Sequence, residues 1–60
     1  MIITFNELIK LTDSLLSYID YHHIDVDNSD ININMRRDSN NNLVVDICGK
    51  NIKWKWGLLC

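Results

Sequence analysis

Leu43-Val44-Val45-Asp46-Ile47-Cys48-Gly49-Lys50-Asn51-Ile52-Lys53-Trp54-Lys55-Trp56 decides the fold, because it alternates on both sides of a turn signal. A two-residue loop at Gly49-Lys50, with Gly first as a type II′ turn requires, predicts a hairpin. In that register Cys48 faces Asn51, Ile47 faces Ile52, Asp46 faces Lys53, Val45 faces Trp54, Val44 faces Lys55 and Leu43 faces Trp56. Ile47–Ile52, Val45–Trp54 and Leu43–Trp56 are apolar on both strands, and they share one face because side chains alternate along a strand. On the other face an Asp46–Lys53 pair would add a few tenths of a kcal/mol, up to about 1.

Upstream, Ile31, Ile33 and Met35 alternate with Asn32, Asn34 and Arg36, which predicts a strand over 30–37. Asp38-Ser39-Asn40-Asn41-Asn42 is turn chemistry, since Asn and Asp tolerate left-handed conformations and bond local backbone. The three strands, about 30–37, 43–48 and 51–56, form an antiparallel meander. Its inner face carries Ile31, Ile33, Met35, Leu43, Val45, Ile47, Ile52, Trp54 and Trp56, leaving Lys53 and Lys55 to solvent.

Further upstream the period changes to that of a helix. Thr4 with Glu7 three residues on fits a capping box, with Ile3 and Leu8 placed for a hydrophobic staple. Phe5, Leu8, Ile9, Thr12, Leu15, Leu16 and Ile19 form one stripe, flanked by Leu11 and Tyr18. The helix spans about 5–20 and ends near Asp20–His23 with no Gly to cap it. Residues 22–30 read as a polar, acidic loop with one or two paired residues. The prediction is a single α+β domain over 1–60 in two layers: an N-terminal amphipathic helix packed on a three-stranded meander, in the order αβββ.

A chain of 60 residues buries only about 60% of its unfolded surface, so its core needs support from a bridge, a metal or a partner. Cys48 and Cys60 are the two cysteines, and they read as reduced thiols. The N-terminus lacks a basic n-region, and Asn6, Glu7 and Lys10 interrupt its apolar residues, so no secretory leader is expected. No apolar run is long enough for a membrane span. A cytoplasmic setting follows as the expectation, the host cytoplasm if the chain is phage-encoded. Ile and Asn are over-used while Pro, Ala and Gln are absent, the bias of an AT-rich coding sequence.

Charge is unevenly placed. In residues 1–30 Lys10 stands against Glu7, Asp13, Asp20, Asp25, Asp27 and Asp30, a net of -5. In residues 31–60 Arg36, Arg37, Lys50, Lys53 and Lys55 stand against Asp38 and Asp46, a net of +3. Such a charge dipole can steer a partner or bring two copies together head to tail.

Motifs for catalysis or metal binding are weak. His22-His23 sits beside Asp20, Asp25 and Asp27, but adjacent side chains diverge on a helix or a strand, and this favours a polar helix end over a metal site. Counted as an EF-hand loop from Asp25, the sixth position is Asp30 and the twelfth Arg36, where Gly and Glu are needed. Cys48 has no His in register to act as a base. Phosphate-binding glycine loops and the GxSxG elbow are absent. We therefore expect no enzyme activity and no cofactor.

Two binding readings remain. The favoured one is a small non-catalytic protein-binding module, an inhibitor from a phage or mobile element that blocks a host enzyme or defence protein. Its acidic patch, Asp20, Asp25, Asp27 and Asp30, would occupy a basic groove on a larger protein. It would act as a homodimer through Trp54, Trp56, Leu58 and Leu59, since Trp is a common interface anchor. The alternative is a nucleic-acid-binding accessory protein using Arg36, Arg37, Lys53 and Lys55. Against it, the two Trp residues lie on the face opposite the lysines, and single-strand recognition wants aromatics and cations on one side.

Overall fold

A computed structural model describes residues 1–57. One helix, α1 (Phe5–Tyr21), is followed by β1 (Ile31–Arg37), β2 (Leu43–Gly49) and β3 (Lys53–Gly57). The strands form one antiparallel sheet in the order β1-β2-β3, so the chain has the expected αβββ arrangement.

Local chemistry sets the element ends. The Thr4 hydroxyl accepts from the Glu7 amide at 3.1 Å, and the Glu7 carboxylate accepts from the Thr4 amide at 2.8 Å. The capping box is complete. At the other end His23 takes φ 52, the left-handed conformation usually left to Gly. The amide of Ile24 then donates to the Ile19 carbonyl at 3.0 Å, and that of His23 to Asp20 at 3.3 Å, which closes a Schellman cap. Between β1 and β2 the Asp38 carboxylate accepts from the amides of Asn40 and Asn42, both at 2.9 Å. Asn41 adopts φ 64, giving the three-residue hairpin loop in which a left-handed residue follows a tight turn. No strand forms between His22 and Asp30, so this segment is a loop throughout.

The second hairpin departs from the predicted register. Asp46 faces Lys55, Ile47 faces Trp54, Val45 faces Trp56 and Cys48 faces Lys53, a slip of two residues. The connecting residues are Lys50-Asn51, and the hairpin closes through the Gly49 amide donating to the Ile52 carbonyl at 2.8 Å. Gly49 has no positive φ, so it does not serve as the first residue of a type II′ turn. It is instead the residue of β2 opposite Ile31, and a Cβ there would stand 2.8 Å from Ile31 Cγ2. Because the slip is two, every side chain keeps its predicted face. The expected Asp46–Lys53 pair is replaced by Asp46 opposite Lys55. Among the described residues the ion pair is Glu7 with Arg37.

The core is centred on β2: Leu43, Val45 and Ile47 are buried, with Leu11 above them and Trp54 beside them. Ile3, Leu15, Tyr18, Met35, Ile52 and Trp56 pack around this cluster half-buried. The helix, however, does not present the predicted stripe. Glu7 and Leu11 are its buried residues, whereas Phe5, Leu8, Ile9 and Leu16 are exposed. Relative to the stripe, α1 is rolled by roughly a quarter of a turn. Two polar contacts hold that roll: Arg37 bonds Glu7, and the Tyr18 hydroxyl donates to the Lys53 carbonyl at 3.2 Å. Leu15 and Ile19, at one edge of the stripe, share a hollow with Ile31 of β1, and Ile31 and Ile33 are 47% and 54% exposed.

Candidate functional site

Of two surface concavities among the described residues, the wider is an open depression beside Tyr18, Tyr21 and His22, and the more enclosed lies between α1, the acidic loop and the sheet. Leu15 and Ile19 of α1, Ile31 of β1, Ile47 of β2 and Ile52 beside the hairpin turn line a hollow of about 230 Å³. Ile24, Asp25, Val26, Asp27 and Ser29 of the acidic loop, with Asn51, complete its wall. This volume is below the roughly 300–1,000 Å³ of a cofactor-sized site. It suits one or two amino-acid side chains.

The acidic loop is tied in place from two directions. The Asn51 side-chain amide donates to the Asp25 carbonyl at 2.6 Å, so the tip of the second hairpin holds the loop over the hollow. The Asp27 carboxylate accepts from the Ser29 amide at 2.9 Å, an Asx turn that lowers its pKa from the usual carboxylate value. Asp27 is therefore ionised at neutral pH. With Asp25 it places anionic groups around an apolar interior, while Asp20 and Asp30 are exposed at the two ends of the segment.

The four basic residues separate. Arg36, Lys53 and Lys55 lie on the open sheet face with Asn32, Asn34, Val44, Asp46 and Cys48. Arg37 points to the helix side, where its guanidinium donates to both oxygens of Glu7, to the Ile2 carbonyl at 3.1 Å and to the Asn41 carbonyl at 3.3 Å. That guanidinium, and then the Thr4 amide, hold the Glu7 carboxyl at about 2. Arg37 is committed to the fold, and no aromatic ring shares the open face among the described residues.

Trp54 is 8% exposed and Trp56 half-buried. Their rings lie 6.5 Å apart between centroids, and Tyr18 bridges Trp54 at 6.2 Å to His22 at 4.3 Å. The indoles thus face the helical layer as predicted, and their area is largely spent on the core. Leu58 and Leu59, the other expected self-association residues, lie outside the described residues, as does Cys60. Cys48 is an exposed free thiol on the open face. Among the described residues no three His, Cys, Asp or Glu side chains converge as metal ligands, and no helix is long and apolar enough to cross a membrane.

The hollow is what sequence reasoning missed. Ile24 and Val26 alternate with Asp25 and Asp27, which was its one local signal; the contribution of Asn51 depends on a contact 26 residues away. Comparison with known protein families, curated proteins and solved structures finds no match to this chain.

Proposed function

We infer that the chain is a small non-catalytic protein-binding module that works by covering a surface on a larger protein. The observation that supports this best is the hollow between α1, the acidic loop and the second hairpin, apolar inside with Asp25 and Asp27 on its wall. The segment it suits is a basic stretch that projects an aliphatic or aromatic side chain. Burying such a side chain contributes about 1.5–3 kcal/mol. Exposed charge pairs at the rim add about 1 kcal/mol or less each and act chiefly on encounter rate and orientation. The apolar anchor supplies affinity and the carboxylates choose the partner.

Size and composition support the narrower reading of a phage or mobile-element inhibitor directed at a host enzyme or defence protein, working in the host cytoplasm. The test is affinity capture with the full chain, identification of the retained protein by mass spectrometry, and titration of that protein in purified form. Asp25→Lys with Asp27→Lys should weaken the purified interaction by about tenfold or more, the equivalent of ~1.4 kcal/mol. Equal affinity of the variant would remove the reading. The nucleic-acid alternative retains Arg36, Lys53 and Lys55 on the open face, and steeply salt-dependent binding lost with these three would support it instead.

A further inference from the structure

We propose that two copies of this chain pair antiparallel through the free edge of β1, with Ile33 opposite Ile33 of the second copy, to form a continuous six-stranded sheet. This deepens the protein-binding reading, on which it rests, by naming a second copy as one partner. The first hairpin fixes the backbone direction of β1. The Asp38 amide bonds the Asn42 carbonyl at 3.0 Å across the first hairpin, and successive residues of a strand point their polar groups to opposite sides. Asn32, Asn34 and Arg36 therefore pair with β2, and the amides and carbonyls of Ile31, Ile33 and Met35 point outward. Among the described residues none of these outward groups has a backbone partner.

The two sheet edges are not equivalent. On β3 the Tyr18 hydroxyl occupies the outward carbonyl of Lys53, and Lys53 and Lys55 add the charge that discourages edge pairing. The stretch Ile31–Met35 carries no charge, Pro or Gly, and its inner side chains Ile31 and Ile33 are 47% and 54% exposed.

The sequence of β1 selects the occupant and the register. Ile31-Asn32-Ile33-Asn34-Met35 reads the same in polarity from either end. About Ile33, Ile31 meets Met35 and Asn32 meets Asn34 of the other copy, apolar on the inner face and amide on the open face. One step beyond, Asp30 meets Arg36 at both ends, a pair of opposite charges. Slipping by two in one direction would set Asp30 against Asp38 of the second copy. Slipping in the other would set Arg36 against Asn28. Only the Ile33-centred register joins apolar, amide and charge complementarity. It adds about six backbone hydrogen bonds and gives the uncovered inner face of β1 an apolar neighbour.

Sedimentation equilibrium of the full chain over roughly 10–200 µM should show a mass near twice 7.1 kDa. Ile33→Pro removes an outward amide while sparing the β2 ladder, so it should leave a monomer with unchanged circular dichroism. Asp30→Arg and Arg36→Asp should each weaken association by about tenfold, and the two together in one chain should restore it. A monomer across the whole range would overturn the pairing, as would association indifferent to Ile33→Pro or a double variant no tighter than the singles. Asp25→Lys with Asp27→Lys reports on the hollow and leaves Asp30 and Arg36 intact. Loss of the dimer and loss of the larger partner are therefore separable.

Discussion

Arg37, at the end of β1, donates to both carboxylate oxygens of Glu7, in the first turn of α1, across 30 residues of chain. Glu7 also bonds the Thr4 amide, so one carboxylate caps the helix and ties it to the sheet. Folding lowers the Glu7 pKa from 4.5 to about 2. A depressed carboxyl contributes stability that is full above its unfolded pKa and lost as pH falls toward the folded one. Thermal stability should therefore decline through the window from 4.5 to about 2. Glu7→Gln should lower the melting temperature at neutral pH by several degrees and flatten that acid limb. Melting curves of both proteins across the window provide the check, and parallel acid limbs would contradict the role given to Glu7.

Gly49 is required by its neighbour across the sheet. A Cβ at this position would stand 2.8 Å from Ile31 Cγ2 and 3.4 Å from Ile52 Cγ2. The nearer methyl is carried on Cβ, so it gives way only by turning Ile31 about χ1, where a β-branched side chain is stiff. Gly49→Ala should cost about 1–2 kcal/mol, as overpacking does. Ile31→Ala in the same chain should recover much of that cost, giving a coupling energy of about 1 kcal/mol in a urea double-mutant cycle. Additive losses would show that the contact is not what constrains position 49.

His23 carries the left-handed residue of the helix cap at φ 52. A side chain there costs roughly 1–2 kcal/mol relative to Gly, against which Gly loses about 0.4–1 kcal/mol through the freer unfolded chain. His23→Gly should stabilise the protein by about 0.5 kcal/mol net. Urea unfolding measures it, and a loss of stability would mean that the imidazole makes contacts that outweigh the strain.

Asn51 holds the acidic loop to the hairpin tip through the Asp25 carbonyl. Asn51→Ala should speed amide exchange in residues 24–29 severalfold while leaving the β2 amides protected, because only the loop loses an anchor. Unchanged exchange in the loop would show that the Asx turn at Asp27 and the cap at His23 hold it without help.

The legible parts of the fold were those decided within a few residues. Thr4 and Glu7 announced the helix start, Asp38–Asn42 the first reversal, and the alternation at Ile31–Met35 and Leu43–Ile47 the strand faces. The helix roll was not legible, because α1 turns on contacts of Glu7 with Arg37 and Tyr18 with Lys53, both remote in sequence. The hairpin register failed for the same reason. Gly49 reads locally as a turn residue, but it is used where β2 passes close to Ile31. The acidic carboxylates were visible as charges; that they stand around an apolar hollow follows from the roll and from Asn51.

The most direct test of the central claim, that the hollow receives the partner, is methyl-selective NMR of the full chain bound to the protein it captures. Ile24, Val26, Ile31 and Ile52 surround the hollow, whereas Val44 lies on the open face with Arg36. Binding should shift the methyl groups of these four hollow residues while those of Val44 stay in place. Movement of Val44 with the hollow methyls unmoved would contradict it and assign the interaction to the basic face.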